Sequence, residues 1–277
     1  MINTWIVATI VAAVAGIVGF FVVARGASFA AHALPLGTFP GAAAASLLGV
    51  NPLFGLLAFS GLGVIGISRL GRRGRQEVAT ALTLVTLLGL GALFLSMSTE
   101  YSQATYALLF GQVLGVSSSD LGPVAAISVV SIVLIAVLFR PLLLSSVSPE
   151  LGEARGVPAA RMELLFLTIV ALATAMALPV VGTLLVFSLM VGPASAGRML
   201  TDRPVRAMLL SAAISLVIMW AAITFAFVSD WPIGFFVGSL SALAYGAGRI
   251  LDCHDRDDRL SGNRRRVAAV PPRPGSA

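Results

Sequence analysis

Among the histidine, cysteine and carboxylate side chains of this chain, His32 alone falls inside an apolar stretch. The rest of the inventory is short: a second histidine, His254, and a single cysteine, Cys253. One cysteine excludes an internal disulfide and a cysteine metal cluster. Every Asp and Glu lies at the end of an apolar run or in a connection. Ionisable groups inside hydrocarbon persist where function requires them, and proton relays commonly keep carboxylates there. Their absence argues against ion-coupled transport and against a channel built on an acidic ring. All 18 basic residues are arginine. Without a lysine the chain has no nucleotide-binding P-loop, so no catalytic residue and no enzymatic activity are expected. If ATP drives this protein, another polypeptide hydrolyses it.

Around His32 the sequence reads Ser28-Phe-Ala-Ala-His-Ala-Leu-Pro-Leu-Gly-Thr-Phe-Pro-Gly41. Pro35, Gly37, Pro40 and Gly41 are expected to break the helical hydrogen-bond ladder. In a membrane such breaks occur where the freed backbone lines a cavity or meets protein. Two roles fit His32: a ligand facing a pathway, or a packing residue on a kinked helix that bonds a neighbouring carbonyl. The segment Asp252-Cys-His-Asp-Arg-Asp-Asp258 gathers metal-ligating types, yet its flanking arginines and low hydrophobicity read as a solvated charge run. The triplet Arg264-Arg265-Arg266 suits anionic lipid headgroups.

The elements that position these residues follow from charge. Residues 26–68, 78–99, 121–139, 164–197, 207–229 and 231–248 carry no acidic or basic side chain apart from His32. About 20 apolar helical residues cross a bilayer core of ~30 Å. With 58% hydrophobic and 11% charged residues, the chain is expected to be an all-α, polytopic integral membrane protein. Short arginine-rich loops stay cytoplasmic. Arginines fall at Arg25, Arg69–Arg75, Arg140–Arg161, Arg198–Arg206 and from Arg249 onward, alternating with connections that lack them. This pattern predicts an external N-terminus, a cytosolic C-terminus and about nine spans, at 5–24, 27–48, 52–69, 78–97, 121–139, 162–178, 180–197, 207–228 and 231–249. The first 24 residues lack a basic leader and read as a span, not a signal peptide. The 164–197 run would be ~51 Å as one helix, so Pro179 and Gly182 are read as the turn of a hairpin. Residues 98–120 are expected to form an outer surface or re-entrant helix. Residues 1–250 form the membrane domain, and 251–277, rich in Arg, Asp and Pro, are expected to be a disordered cytosolic tail. The distribution of arginine assigns the net charge of +6 to the bilayer and its orientation, with no nucleic acid partner.

Three blocks resemble the permease subunits of ABC importers for zinc, manganese and iron. The first is Ser28–Gly55, with Phe39-Pro40-Gly41 and Leu47-Leu48-Gly49-Val50-Asn51-Pro52-Leu53. The second is Tyr106-Ala-Leu-Leu-Phe-Gly-Gln-Val-Leu-Gly-Val-Ser-Ser-Ser-Asp-Leu121. The third runs from Ser148-Pro-Glu-Leu-Gly-Glu-Ala-Arg-Gly-Val157 through Val180-Val-Gly-Thr-Leu-Leu-Val-Phe-Ser-Leu-Met-Val-Gly-Pro-Ala-Ser-Ala-Gly-Arg-Met-Leu200. The resemblance implies a fold related to type II ABC importer permeases. It also implies a homodimer of this chain in the cytoplasmic membrane, a cytosolic ABC ATPase subunit and an extracytoplasmic metal-binding protein. The implied cargo is a divalent transition metal ion, with no permanently bound cofactor.

Uptake members of that family typically carry Asp-x-x-x-His in the first block. Aligned on Pro40-Gly41, this chain has His32 at the aspartate position and Leu36 at the histidine position. One imidazole in place of an oxygen and nitrogen pair leans the cargo toward zinc, with manganese or iron open. The resemblance also implies a cytosolic segment that docks on the ATPase, mapping to Val191–Pro204. Gly192-Pro193 is expected to break the incoming span, and Arg198, Asp202 and Arg203 to supply polar contacts; an ordinary interfacial loop is the other reading. Glu150 and Glu153 form a secondary contact. Alternatives are a siderophore or cobalamin permease, which usually has a Pro-His pair where this chain has Pro193-Ala194, a facilitative metal channel without an ATPase, and a membrane scaffold.

Overall fold

In a computed structural model the described residues are 2–71, 75–97 and 118–268. They form nine long helices and one short one: α1 (Ile2–Ala24), α2 (Ser28–Leu47), α3 (Pro52–Leu70), α4 (Gln76–Ser96), α5 (Ser118–Val147), α6 (Pro149–Ala154), α7 (Ala159–Val181), α8 (Thr183–Met199), α9 (Pro204–Ser229) and α10 (Ile233–Ala268). Each long helix overlaps one of the spans predicted from charge, with ends that differ by a few residues. Seven are long and apolar enough in themselves to cross a membrane; α2 and the 17-residue α8 are the other two. The outer segment expected at 98–120 lies almost wholly outside the described residues.

Helix α1 runs through the middle of the bundle, packing on α5, α7, α8 and α9. Its Val7, Val11, Val14 and Val18 are fully or almost fully buried. Small residues let its backbone approach so closely. A Cβ on Gly19 would strike the Met190 carbonyl of α8, and one on Gly16 would meet Ala212 of α9 at 2.5 Å. Further along, Trp220 Nε1 of α9 donates to Thr9 Oγ1 at 2.9 Å. Helices α2, α3 and α4 form a second group, joined to the first through α7 and, from α2, through α8. The α2–α3 crossing is backbone on backbone, since a Cβ on Gly41 would overlap the Gly55 carbonyl and one on Gly55 would overlap that of Gly41.

The prolines do not interrupt the helices as the sequence predicts. Helix α2 is continuous from Ser28 to Leu47 with Pro35 and Pro40 inside it, and α8 runs through Pro193. Proline fixes a helix-compatible φ and removes one N–H. What a proline endangers is the carbonyl four residues back, and in α8 that carbonyl has another partner: Ser215 Oγ of α9 donates to Leu189 O at 3.2 Å. In α2 both prolines are buried between neighbouring helices, which hold the ladder in line. The expected hairpin at Pro179–Gly182 is present, with Gly182 (φ 86°, ψ 155°) ending α7 and preceding α8. Only glycine occupies that backbone region readily.

Helix α10 continues to Ala268, beyond Leu251 where its apolar span ends. Residues 252–268, which composition alone predicts to lack order, carry Asp252/Arg256 and Asp255/Arg259 at the four-residue spacing that supports a helix.

Candidate metal pathway

Helix α2 places His32 one turn from its start at Ser28, ~6 Å along the axis. The ring is partly buried and meets Phe187 of α8 edge to face, with centroids 4.9 Å apart and planes at 72°. Its Nδ1 is buried and has no hydrogen-bond partner. The kinked-packing role, in which the histidine bonds a neighbouring carbonyl through that nitrogen, therefore lacks its bond. A buried polar atom without a partner costs about 1–3 kcal/mol, and Nδ1 is one of the two imidazole nitrogens able to ligate a cation.

A polar seam lies further along the same helix. Thr38 Oγ1 donates to Leu34 O at 2.7 Å and sits 3.0 Å from Ser60 Oγ of α3. Ser60 Oγ is in turn 3.5 Å from the Ala171 carbonyl of α7, which also accepts from Thr174 Oγ1 at 2.9 Å. Thr38, Ser60 and Thr174 are all buried. Pro35 and Pro40 leave the carbonyls of Ala31 and Leu36 without their usual amide donors. This part of α2 thus combines an imidazole with hydroxyl and carbonyl oxygens. Leu36, one turn beyond His32, is partly buried and brings no ligand. Among the described residues no group of three or more His, Cys, Asp and Glu could hold a metal.

Below His32 the arginines gather at one end of the bundle. Arg25, in the α1–α2 turn, donates to Ser145 Oγ of α5 at 2.6 Å and lies 5.1 Å from the Phe166 ring centroid of α7. Burial lowers its pKa from the ordinary value, while the nearby Glu163 carboxylate acts in the opposite sense. Arg25, Glu77, Thr80 and Glu163 border a cleft of about 260 Å³ that opens at this end.

The residues read as an ATPase contact divide in the structure. Gly192 and Pro193 lie inside α8; a Cβ on Gly192 would come within 2.8 Å of Ser241 of α10, and Pro193 is buried. The break expected at this pair is absent, because Ser215 stabilises the helix through the proline. Arg198 is exposed and its Nη1 donates to Val23 O at 2.9 Å, clamping the end of α1. Asp202 and Arg203 are exposed in the turn before α9. Glu150 and Glu153 are exposed on α6, a short helix beyond the ends of α5 and α7. Ser148 Oγ caps it by accepting from Leu151 N at 3.3 Å. Sequence reasoning missed Phe187 and the Thr38–Ser60–Ala171 seam. Hydroxyls inside apolar runs were the available signal, but nothing along the chain says which of them meet.

The described residues form a bundle of nine long helices, seven of them apolar enough to cross a membrane, with a buried, unpartnered imidazole nitrogen toward the arginine-bearing end: the build of a polytopic membrane protein. The chain belongs to the ABC 3 transport family, whose sequence profile matches residues 1–248. It is 30% identical to the manganese transport system membrane protein MntC of Listeria innocua over 86% of this chain and 81% of that one. It is 29% identical to the manganese import system permease protein ScaB of Streptococcus parasanguinis over 76% of each chain. Its fold matches a chain of PsaBC from Streptococcus pneumoniae, solved in complex with Fab, with a TM-score of 0.80 at 24% identity over 89% of both chains. The protein is a metal-type ABC transporter permease, the non-enzymatic membrane subunit of a system whose ATP hydrolysis resides in a separate subunit.

Proposed function

We propose that this chain carries a divalent transition metal ion inward across the cytoplasmic membrane as a homodimer, with its arginine end in the cytosol. A cytosolic ABC ATPase drives it and an extracytoplasmic binding protein delivers the ion. The observation that carries this reading is the buried, unpartnered Nδ1 of His32 in a chain of this family. The ion meets His32 and the oxygen atoms of α2 in passing. Relatives named for manganese transport support manganese, whereas an imidazole without a carboxylate one turn away favours zinc. The ATPase docks on the exposed α6, with Glu150 and Glu153, and on Arg198, Asp202 and Arg203 beside it. Permease reconstituted with its ATPase in liposomes, with manganese and zinc uptake measured separately, tests the proposal. His32→Ala should abolish uptake of the transported ion while the complex still assembles. Uptake at the wild-type rate by that variant would sink the pathway assignment.

A further inference from the structure

Helices α5 and α9 both pack on α1 but scarcely touch one another, which leaves a groove between them with α1 as its floor. Two clefts follow one another along it. That of about 480 Å³ is bordered by Phe20 of α1, Leu143 of α5, and Arg198 and Asp202 ahead of α9. That of about 520 Å³ is bordered by Ile17, Ile132, Ile135, Arg140 and Met208. Each of the three helices contributes neighbouring turns to both clefts, so they form one continuous depression.

Its polarity runs in one direction. Arg198 and the exposed Arg140 stand toward the arginine end. Ile132 lies eight residues from Arg140, ~12 Å deeper along α5. Apart from Arg140, the second cleft is lined by aliphatic and aromatic side chains and by no carboxylate. Asp202 borders the other cleft together with Arg198 and offsets its charge, so that over the whole groove two arginines face one acid and a cation is left in excess. A ligand that fits has an anionic head at the bilayer surface and a hydrocarbon chain extending inward. Arg198 spends one N–H on Val23 O and keeps four of its five donors. Basic pockets between membrane helices on the arginine-rich side suit anionic lipid headgroups.

We propose that the α5–α9 groove is a binding site for an anionic phospholipid, with the phosphate at Arg140 and Arg198 and an acyl chain along Ile135 and Ile132. The groove is distinct from the metal pathway at α2.

The test uses the full-length permease in detergent, titrated with phosphatidylglycerol, phosphatidylethanolamine or phosphatidylcholine, with retained lipid counted by native mass spectrometry. Phosphatidylglycerol should be retained about fivefold over either zwitterionic lipid, the factor that one basic contact provides. Arg140→Gln should remove that preference, and Ala136→Trp, which fills the apolar half, should lower retention of all three lipids. Arg206→Gln, outside both clefts, should leave retention as in the wild type. Equal retention of the three lipids, or an unchanged preference in Arg140→Gln, overturns the proposal. So does cross-linking between copies through Ala136→Cys in a Cys253→Ala background in native membranes, because a second subunit would then cover the groove.

Discussion

The hydroxyl of Ser215 on α9 donates to the carbonyl of Leu189 on α8, the acceptor that Pro193 deprives of its amide partner. Both residues are fully buried, so the bond repairs a defect where no water is at hand. Ser215→Ala is expected to destabilise the permease by about 1–3 kcal/mol, read as a lower midpoint of thermal unfolding in detergent. Adding Pro193→Ala, which restores the helical amide, should recover most of the loss. Additive destabilisation in the double variant would separate the serine from the proline.

His32 and Phe187 form the next pair. Rebuilding the family's usual ligands with His32→Asp and Leu36→His is expected to retain or broaden metal uptake, measured with manganese and zinc in parallel. Phe187→Ala removes the ring beside the imidazole and is expected to alter the ratio of the two uptake rates. An unchanged ratio would mean that Phe187 only fills space.

Glu150 and Glu153 stand exposed on α6, whereas Arg198 is committed to the end of α1. The double charge reversal Glu150→Arg/Glu153→Arg is expected to weaken ATPase capture by solubilised permease, with its thermal midpoint within a degree or two of wild type. Arg198→Glu is expected to uncouple the complex, so that transport and metal-stimulated hydrolysis fall together, and also to lower the midpoint. Full stimulated hydrolysis by Arg198→Glu in liposomes would remove Arg198 from the coupling surface.

The proposed orientation, with the arginine end in the cytosol, is open to a labelling test. In a Cys253→Ala background, Ser118→Cys should react with an impermeant maleimide added outside cells, and Gly71→Cys should not. The reverse labelling would invert the bundle and exclude import through it.

The close α2–α3 crossing gives a packing prediction. Gly41→Ala places a methyl group against the Gly55 carbonyl, and backbone adjustment of that kind costs about 1–3 kcal/mol. Lower expression and a lower thermal midpoint are expected, whereas Gly61→Ala, with open space at its Cβ, should be silent in both.

Much of this architecture is legible along the chain because charge punctuates it. Arg25, Arg69, Arg140, Arg198 and Arg249 mark alternate ends, and the uncharged runs between them became the nine long helices. The proline readings at Pro35, Pro40 and Pro193 went astray for a physical reason. Whether a proline breaks a helix depends on what receives the freed carbonyl, and Ser215 is 26 residues from Leu189 in sequence. His32 stood out by composition, but its edge contact with Phe187 and its unpartnered nitrogen arise from packing between α2 and α8. The Ser60–Ala171 approach spans 111 residues, beyond any local pattern.

The α1–α2 turn has mechanical meaning as well. Arg25 fastens it to α5 through Ser145, and Arg198 fastens the last turn of α1 to α8 through Val23. Rotation of α8 or tilting of α5 must therefore carry the turn along or break one of these bonds. His32 is seven residues past Arg25, at the near end of the element so yoked. On the function proposed above, a push delivered to the surface near α6 would have a short linkage to the imidazole, through the backbone of a single turn.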